Sequence, residues 1–89
     1  MRHATPSTLD ALEPLLVQLR GLPALKEKSR GTFYRGSKAF LHFHEDPAGI
    51  FADLRIATEF ERFRATTKTE QVALVRRVKD ALSSHGQPS

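Results

Sequence analysis

The sequence contains no cysteine. Disulfides, thiolate nucleophiles and zinc sites built on sulfur are therefore excluded. No apolar run approaches the roughly 20 residues that a membrane-spanning helix needs. The opening MRHATPSTLDALEPL holds no apolar segment of secretory length, so a cytoplasmic protein is expected. Glycine is scarce too. The five residues at positions 21, 31, 36, 49 and 86 are placed as turn glycines, not as a phosphate-cradling loop. Serines and threonines are present, but none stands in a G-x-S-x-G turn or beside an evident base. With no nucleophile and no oxyanion site in view, catalysis is not expected and no cofactor is implied.

The 89 residues are 39% hydrophobic, enough for one modest core and one domain. So small a domain gains from pairing with its own copy. The formal charge of +4 comes in blocks. A basic segment over 26–38 precedes an acidic middle (Glu45, Asp46, Asp53, Glu59, Glu61), and a second basic segment covers 62–79. Blocks of this kind can fold into one basic and one acidic face.

Leu9, Leu12, Leu15, Leu16, Leu19 and Leu22 recur at helical spacing. Ser7 and Asp10 have the spacing of a capping box, Pro14 makes the first part irregular, and Gly21 and Pro23 end the helix. Residues 32–35 and 39–44 flank the turn Gly36-Ser37-Lys38, and Asp46-Pro47-Ala48-Gly49 makes a second turn before Ile50–Ile56. A short edge strand is expected near 61–65. Thr67-Lys68-Thr69-Glu70 is a capping box, followed by the stripe Leu74, Val75, Val78, Ala81, Leu82. The expected fold is two-layer α+β: an N-terminal helix, an antiparallel meander of three to four strands and a C-terminal helix, both helices on one sheet face. A flexible N-terminus over 1–6, a single domain over 7–83 and a disordered tail over 84–89 complete the plan.

The stretch FLHFHEDPAGIFADLR carries the functional question. Strand alternation puts Leu41, Phe43, Ala52 and Leu54 beneath the helices and leaves Phe40, His42, His44, Phe51, Asp53 and Arg55 on the opposite face. His42 and His44, with Asp53 from the next strand, are the candidate ligands of a divalent metal, provided that His42 pairs opposite Asp53. The alternative is an ordinary row of strand histidines, with Asp53 in an ion pair. Phe40, His42, His44, Phe51 and Arg55 are the candidates for a recognition face. Candidate phosphate contacts are Lys26, Lys28, Arg30, Arg76, Arg77 and Lys79. Because Asp53 would repel phosphate, self-association or a protein partner is expected ahead of nucleic acid, and no membrane partner is expected. The expected function is a non-enzymatic binding module able to form a homodimer. The rival readings are a nucleic-acid binder using 26–38 and 62–79, and third, a metal-binding protein.

The run FYRGSKAFLHFHEDPAGIFADLR, followed by a helix opening at TTKTEQ, resembles small bacterial domains of the MmcQ/YjbR and YdhG-like families. They share a leading helix ending in a Leu-Pro step, here Leu22-Pro23, then a hairpin, here around Gly36-Ser37-Lys38, and a closing helix. The likeness spans about residues 9–82 in layout. It implies an α+β fold, a bacterial cytoplasmic origin and no established enzymatic activity. The chain lacks the second half of many such domains, where their basic and aromatic residues lie. The resemblance therefore transfers no functional residue.

Overall fold

A computed structural model describes residues 2–85, with side chains described through Ser83. Strand β1 (Arg2–His3) is followed by helices α1 (Pro6–Ala11) and α2 (Glu13–Arg20). Strands β2 (Lys26–Ser29), β3 (Thr32–Arg35), β4 (Lys38–Asp46), β5 (Gly49–Ile56) and β6 (Glu59–Arg64) come next, and α3 (Lys68–His85) closes the chain. The fold is α+β.

The first helical region divides at proline. Pro14 has no N–H and its ring crowds the preceding turn, so one continuous helix cannot pass through it. Leu12 instead ends α1 and caps α2, and its carbonyl accepts bonds from the Leu15 and Leu16 N–H groups. Pro14 then sits in the first turn of α2, where no N–H is required. The N-cap of α1 is Thr5, whose side chain accepts from the Thr8 N–H, rather than the expected Ser7. The capping box of α3 forms as expected: the Glu70 N–H donates to Thr67 Oγ1 at 3.1 Å and the Thr67 N–H returns a bond to Glu70 Oε1 at 2.9 Å.

The sheet has six strands, not the expected three to four. The order is β2-β3-β4-β5-β6, all neighbours antiparallel, with β1 also paired to β4. The long β4 gives its first half to β3 and its second half to β1 along one edge, while β5 occupies the other edge. The two unforeseen strands are β1, only two residues long, and β2, whose sequence KEKS lacks any apolar alternation. Residues 1–6, expected to be a flexible lead-in, thus include a strand held to Glu45 and His44. Of the expected tail over 84–89, Ser84 and His85 continue α3, and the rest lies outside the described residues.

One face of the sheet is covered. Phe33, Leu41, Phe43, Ala52 and Leu54 form a single buried cluster with Leu12, Leu15, Leu16 and Leu19 from the α1–α2 region and with Leu74, Val78 and Ala81 from α3. Each large apolar side chain so buried contributes about 1.5–3 kcal/mol. Phe40 departs from simple alternation. Phe33 pairs with Leu41 but Tyr34 pairs with Ala39, so Phe40 is the extra residue of a β-bulge. A bulge re-aims the side chain it inserts. Phe40 accordingly joins the core at 1% exposure.

Candidate functional site: the uncovered sheet face

The opposite face is built by register. His42 pairs with Asp53, and Asp53 with Arg62, so those three side chains form one row across β4, β5 and β6. A second row runs His3, His44, Phe51, Arg64 across β1, β4, β5 and β6. Arg55 and Phe60 pair in a third. The condition set by sequence, His42 opposite Asp53, is met.

At the centre, His42 Nδ1 lies 2.8 Å from His44 Nε2, and His44 Nε2 lies 3.2 Å from Asp53 Oδ2. Arg62 clasps the same carboxylate, Nε donating to Oδ1 at 2.8 Å and Nη2 to Oδ2 at 2.9 Å. The His3 ring stacks on His44 at 4.9 Å between centroids, and Phe60 meets the His42 ring edge-on at the same separation. Asp53 is buried at 8% exposure although no helix covers it, because these neighbours enclose it. The hydrogen bonds from Arg62 hold its carboxyl below the usual carboxylate range against the opposing effect of burial. Burial, followed by the charge of His44, pushes His42 down, which favours the neutral imidazole.

Around this centre the face is cationic and aromatic. The Arg55 guanidinium stands 4.5 Å from the Phe60 centroid, Arg64 stands 5.2 Å from Phe51, and Lys28 Nζ stands 4.3 Å from Tyr34. Lys26, opposite Tyr34, adds a further cation. Five cations (Lys26, Lys28, Arg55, Arg62, Arg64) therefore share the face with two carboxylates, Asp46 and Asp53. Among the described residues, Lys26, Lys28 and Arg55 have no carboxylate partner, and Arg64 reaches across to Glu70 at 3.2 Å.

The expected recognition set is thus mostly assembled: His42, His44, Phe51 and Arg55 lie here. Phe40 does not, because the bulge turns it into the core. The phosphate candidates are scattered. Lys26 and Lys28 are at one end of this face, whereas Arg30 is engaged by Asp10 at 2.7 Å and Glu13 at 2.9 Å. Arg76, Arg77 and Lys79 ride on α3 in the other layer, where Arg77 stands over Phe63 and Arg76 and Lys79 border a shallow groove with Gln18. Only the leading parts of the segments 26–38 and 62–79 therefore share one surface: Lys26 and Lys28 lie with Arg62 and Arg64 on the uncovered face, while Arg76, Arg77 and Lys79 lie in the other layer.

Although the basic segments 26–38 and 62–79 include Tyr34, Arg62 and Arg64, sequence reasoning did not single out His3, Tyr34, Phe60, Arg62 and Arg64. The last three were within reach, because Phe60, Arg62 and Arg64 alternate along β6. His3 had no signal, as its strand is fixed by pairing with β4 alone.

No family model matches the chain, and no curated protein and no solved structure matches it. The reading of this face accordingly rests on its own chemistry.

Proposed function

We propose that the protein is a non-enzymatic binding module whose ligand surface is the uncovered sheet face, and that its ligand is single-stranded nucleic acid. The observation that carries this reading is the pairing of aromatics with cations: Arg55 on Phe60, Arg64 on Phe51 and Lys28 on Tyr34. Rings and guanidinium planes stack bases, while neighbouring cations take the phosphates. The charge of Asp53, which would oppose phosphate, is offset by the two hydrogen bonds from Arg62.

Self-association through this face is less well supported. Apposing two copies would set two faces of net positive charge against each other, and like-charge juxtaposition is costly. The apolar patch that Phe40 and Phe51 would have made is absent, since Phe40 is in the core.

The test is fluorescence anisotropy with a labelled single strand of about ten nucleotides, titrated at several salt concentrations. Micromolar binding is expected at low salt, falling with salt at a slope of about −0.7 for each phosphate contacted. Phe60→Ala and Arg55→Ala should each weaken it about tenfold or more. A flat titration up to about 100 μM protein at low salt removes the reading. So does a loss caused by Arg76→Ala with Lys79→Ala but not by Phe60→Ala, which would move binding to α3.

A further inference from the structure

We infer that His42, His44 and Asp53 form a binding site for one divalent late first-row metal ion of the zinc, nickel or copper type. Their ligand atoms all lie within 4.8 Å of one another.

The cluster is short of protons. His44 Nε2 faces two acceptors at once, His42 Nδ1 at 2.8 Å and Asp53 Oδ2 at 3.2 Å. A neutral ring nitrogen carries at most one hydrogen. If His44 Nε2 holds it, that hydrogen must be divided between the two. If His42 Nδ1 holds it and donates to His44, the bare His44 nitrogen confronts a carboxylate oxygen, lone pair against lone pair. Protonating Asp53 would give a donor, but at the expense of the two charge-assisted bonds from the Arg62 guanidinium, which favour the carboxylate. A cation placed among the three atoms satisfies every lone pair together.

The spacing suits such an ion. Tetrahedral bonds of roughly 2.0–2.2 Å set neighbouring ligand atoms about 3.3–3.6 Å apart. The His44–Asp53 separation of 3.2 Å is close to that range, the two imidazole nitrogens at 2.8 Å need to part slightly, and no ligand atom is more than 4.8 Å from another. Two imidazoles and one carboxylate suit borderline ions, whereas calcium and magnesium ask for oxygen ligands. The shell around the ligands is also in place. Arg62 fixes the carboxylate through both oxygens, leaving a second lone pair on Oδ2 for the ion, and His3 stacks on His44 and fixes its ring plane. No helix lies over this face, so only the flanking rings of His3 and Phe60 stand between the ligands and solvent, from which water can complete the coordination.

The site is independent of the nucleic-acid reading, and it is tested without any oligonucleotide present. Zinc chloride, and separately nickel chloride, is titrated into the untagged full chain at neutral pH. Calorimetry follows stoichiometry and imidazole resonances report the ligands. One equivalent should bind, moving the ring resonances of His42 and His44. His44→Ala and Asp53→Asn should each weaken binding about a hundredfold, with the folded state checked by circular dichroism. His3→Ala, which removes a positioning residue, should weaken it about tenfold while stoichiometry stays at one. Resonances of His42 and His44 that stay put at a tenfold excess of metal overturn the site in the wild-type chain, whatever the variants do. Equal affinity in wild type and folded His44→Ala overturns it as well.

Discussion

On one side of the sheet, Leu41, Phe43, Ala52 and Leu54 are sealed against Leu16, Leu19, Leu74 and Val78. On the other, the very next residues of the same strands, His42, His44, Asp53 and their neighbour Arg62, are held by hydrogen bonds, ring stacking and charge. The covered side gets its order from apolar area, which is non-directional and tolerant of small shifts. The bare side gets its order from directional contacts among a few polar groups, each needing a partner at a set distance. A face of the second kind contributes less to folding and is far better suited to recognising a ligand. Of the described helices, none is long and apolar enough to cross a membrane.

The sharpest way to break this division is to compare two phenylalanines, Phe40 in the core at 1% exposure and Phe60 on the bare face at 38%. Phe40→Ala opens a cavity beneath the helices and should cost about 3–5 kcal/mol. Phe60→Ala should cost less than about 1 kcal/mol, since its ring is already partly in water. Urea unfolding of both variants decides it. Similar losses would mean that the bulge does not turn Phe40 inward.

That bulge marks where the sequence stopped being legible. Period-two alternation correctly put Leu41 and Phe43 under the helices and both histidines opposite, because a one-residue slip would have exposed the whole apolar set. The adjacent apolar pair Phe40-Leu41 broke the alternation, and local pattern alone could not show that both belong to the core. The α3 capping box and stripe were legible because cap and packing residues stand in one contiguous stretch. Strand β2 was not legible. A charged edge strand resists wrong pairing, and its lack of apolar alternation also hides it. At the candidate site the pair His42 and His44 could be read directly, and Asp53 conditionally on register. His3, Arg62 and Arg64 arrive through pairing between distant segments.

Next in size is the bare face's own stability. Asp53→Asn leaves one oxygen to accept from Arg62 and sets the amide NH2, a donor, against the other guanidinium N–H. The Arg62 side chain is half exposed, so solvent screens part of the loss and about 1–2 kcal/mol is expected. The effect should shrink as salt rises, since an ion pair is screened while an apolar core is not. A loss that stays constant between low and high salt would mean that Asp53 acts through packing, as on the covered face.

A gain is expected at the turn that brings β6 alongside β5. Ala57 has φ of 56°, a left-handed conformation that costs a residue with a Cβ about 1–2 kcal/mol. Glycine removes that cost and gives back part of it as chain entropy. Ala57→Gly should therefore raise stability by about 0.5–1 kcal/mol, read from the thermal midpoint, and leave the Arg55–Phe60 pair in place. A loss of stability would show that the turn does not need its left-handed residue.

The smallest effect compares carboxylates across the sheet. Glu45 follows Leu41 and Phe43 on the covered side, and its Oε1 accepts from the Thr5 N–H at 2.6 Å, tying the start of α1 to β4. That backbone bond, with help from the Thr8 and Thr5 hydroxyls, holds its carboxyl down at about 2. An unfolded glutamate titrates near 4.3, roughly. A folded value below the unfolded one means that the ionised form is favoured by folding. The contribution is then complete above about pH 4.3 and is lost as pH falls toward 2. Glu45→Gln should thus lower the urea midpoint at pH 7, and the variant and wild-type curves should converge between pH 4 and pH 2, approximately. Because the main partner is a backbone N–H and not a guanidinium, the difference at pH 7 should change little with salt, in contrast to Asp53→Asn. Curves that run parallel down to about pH 2 would mean that the charge on Glu45 contributes nothing, leaving Arg62 and Asp53 as the better-supported carboxylate contact of the two faces.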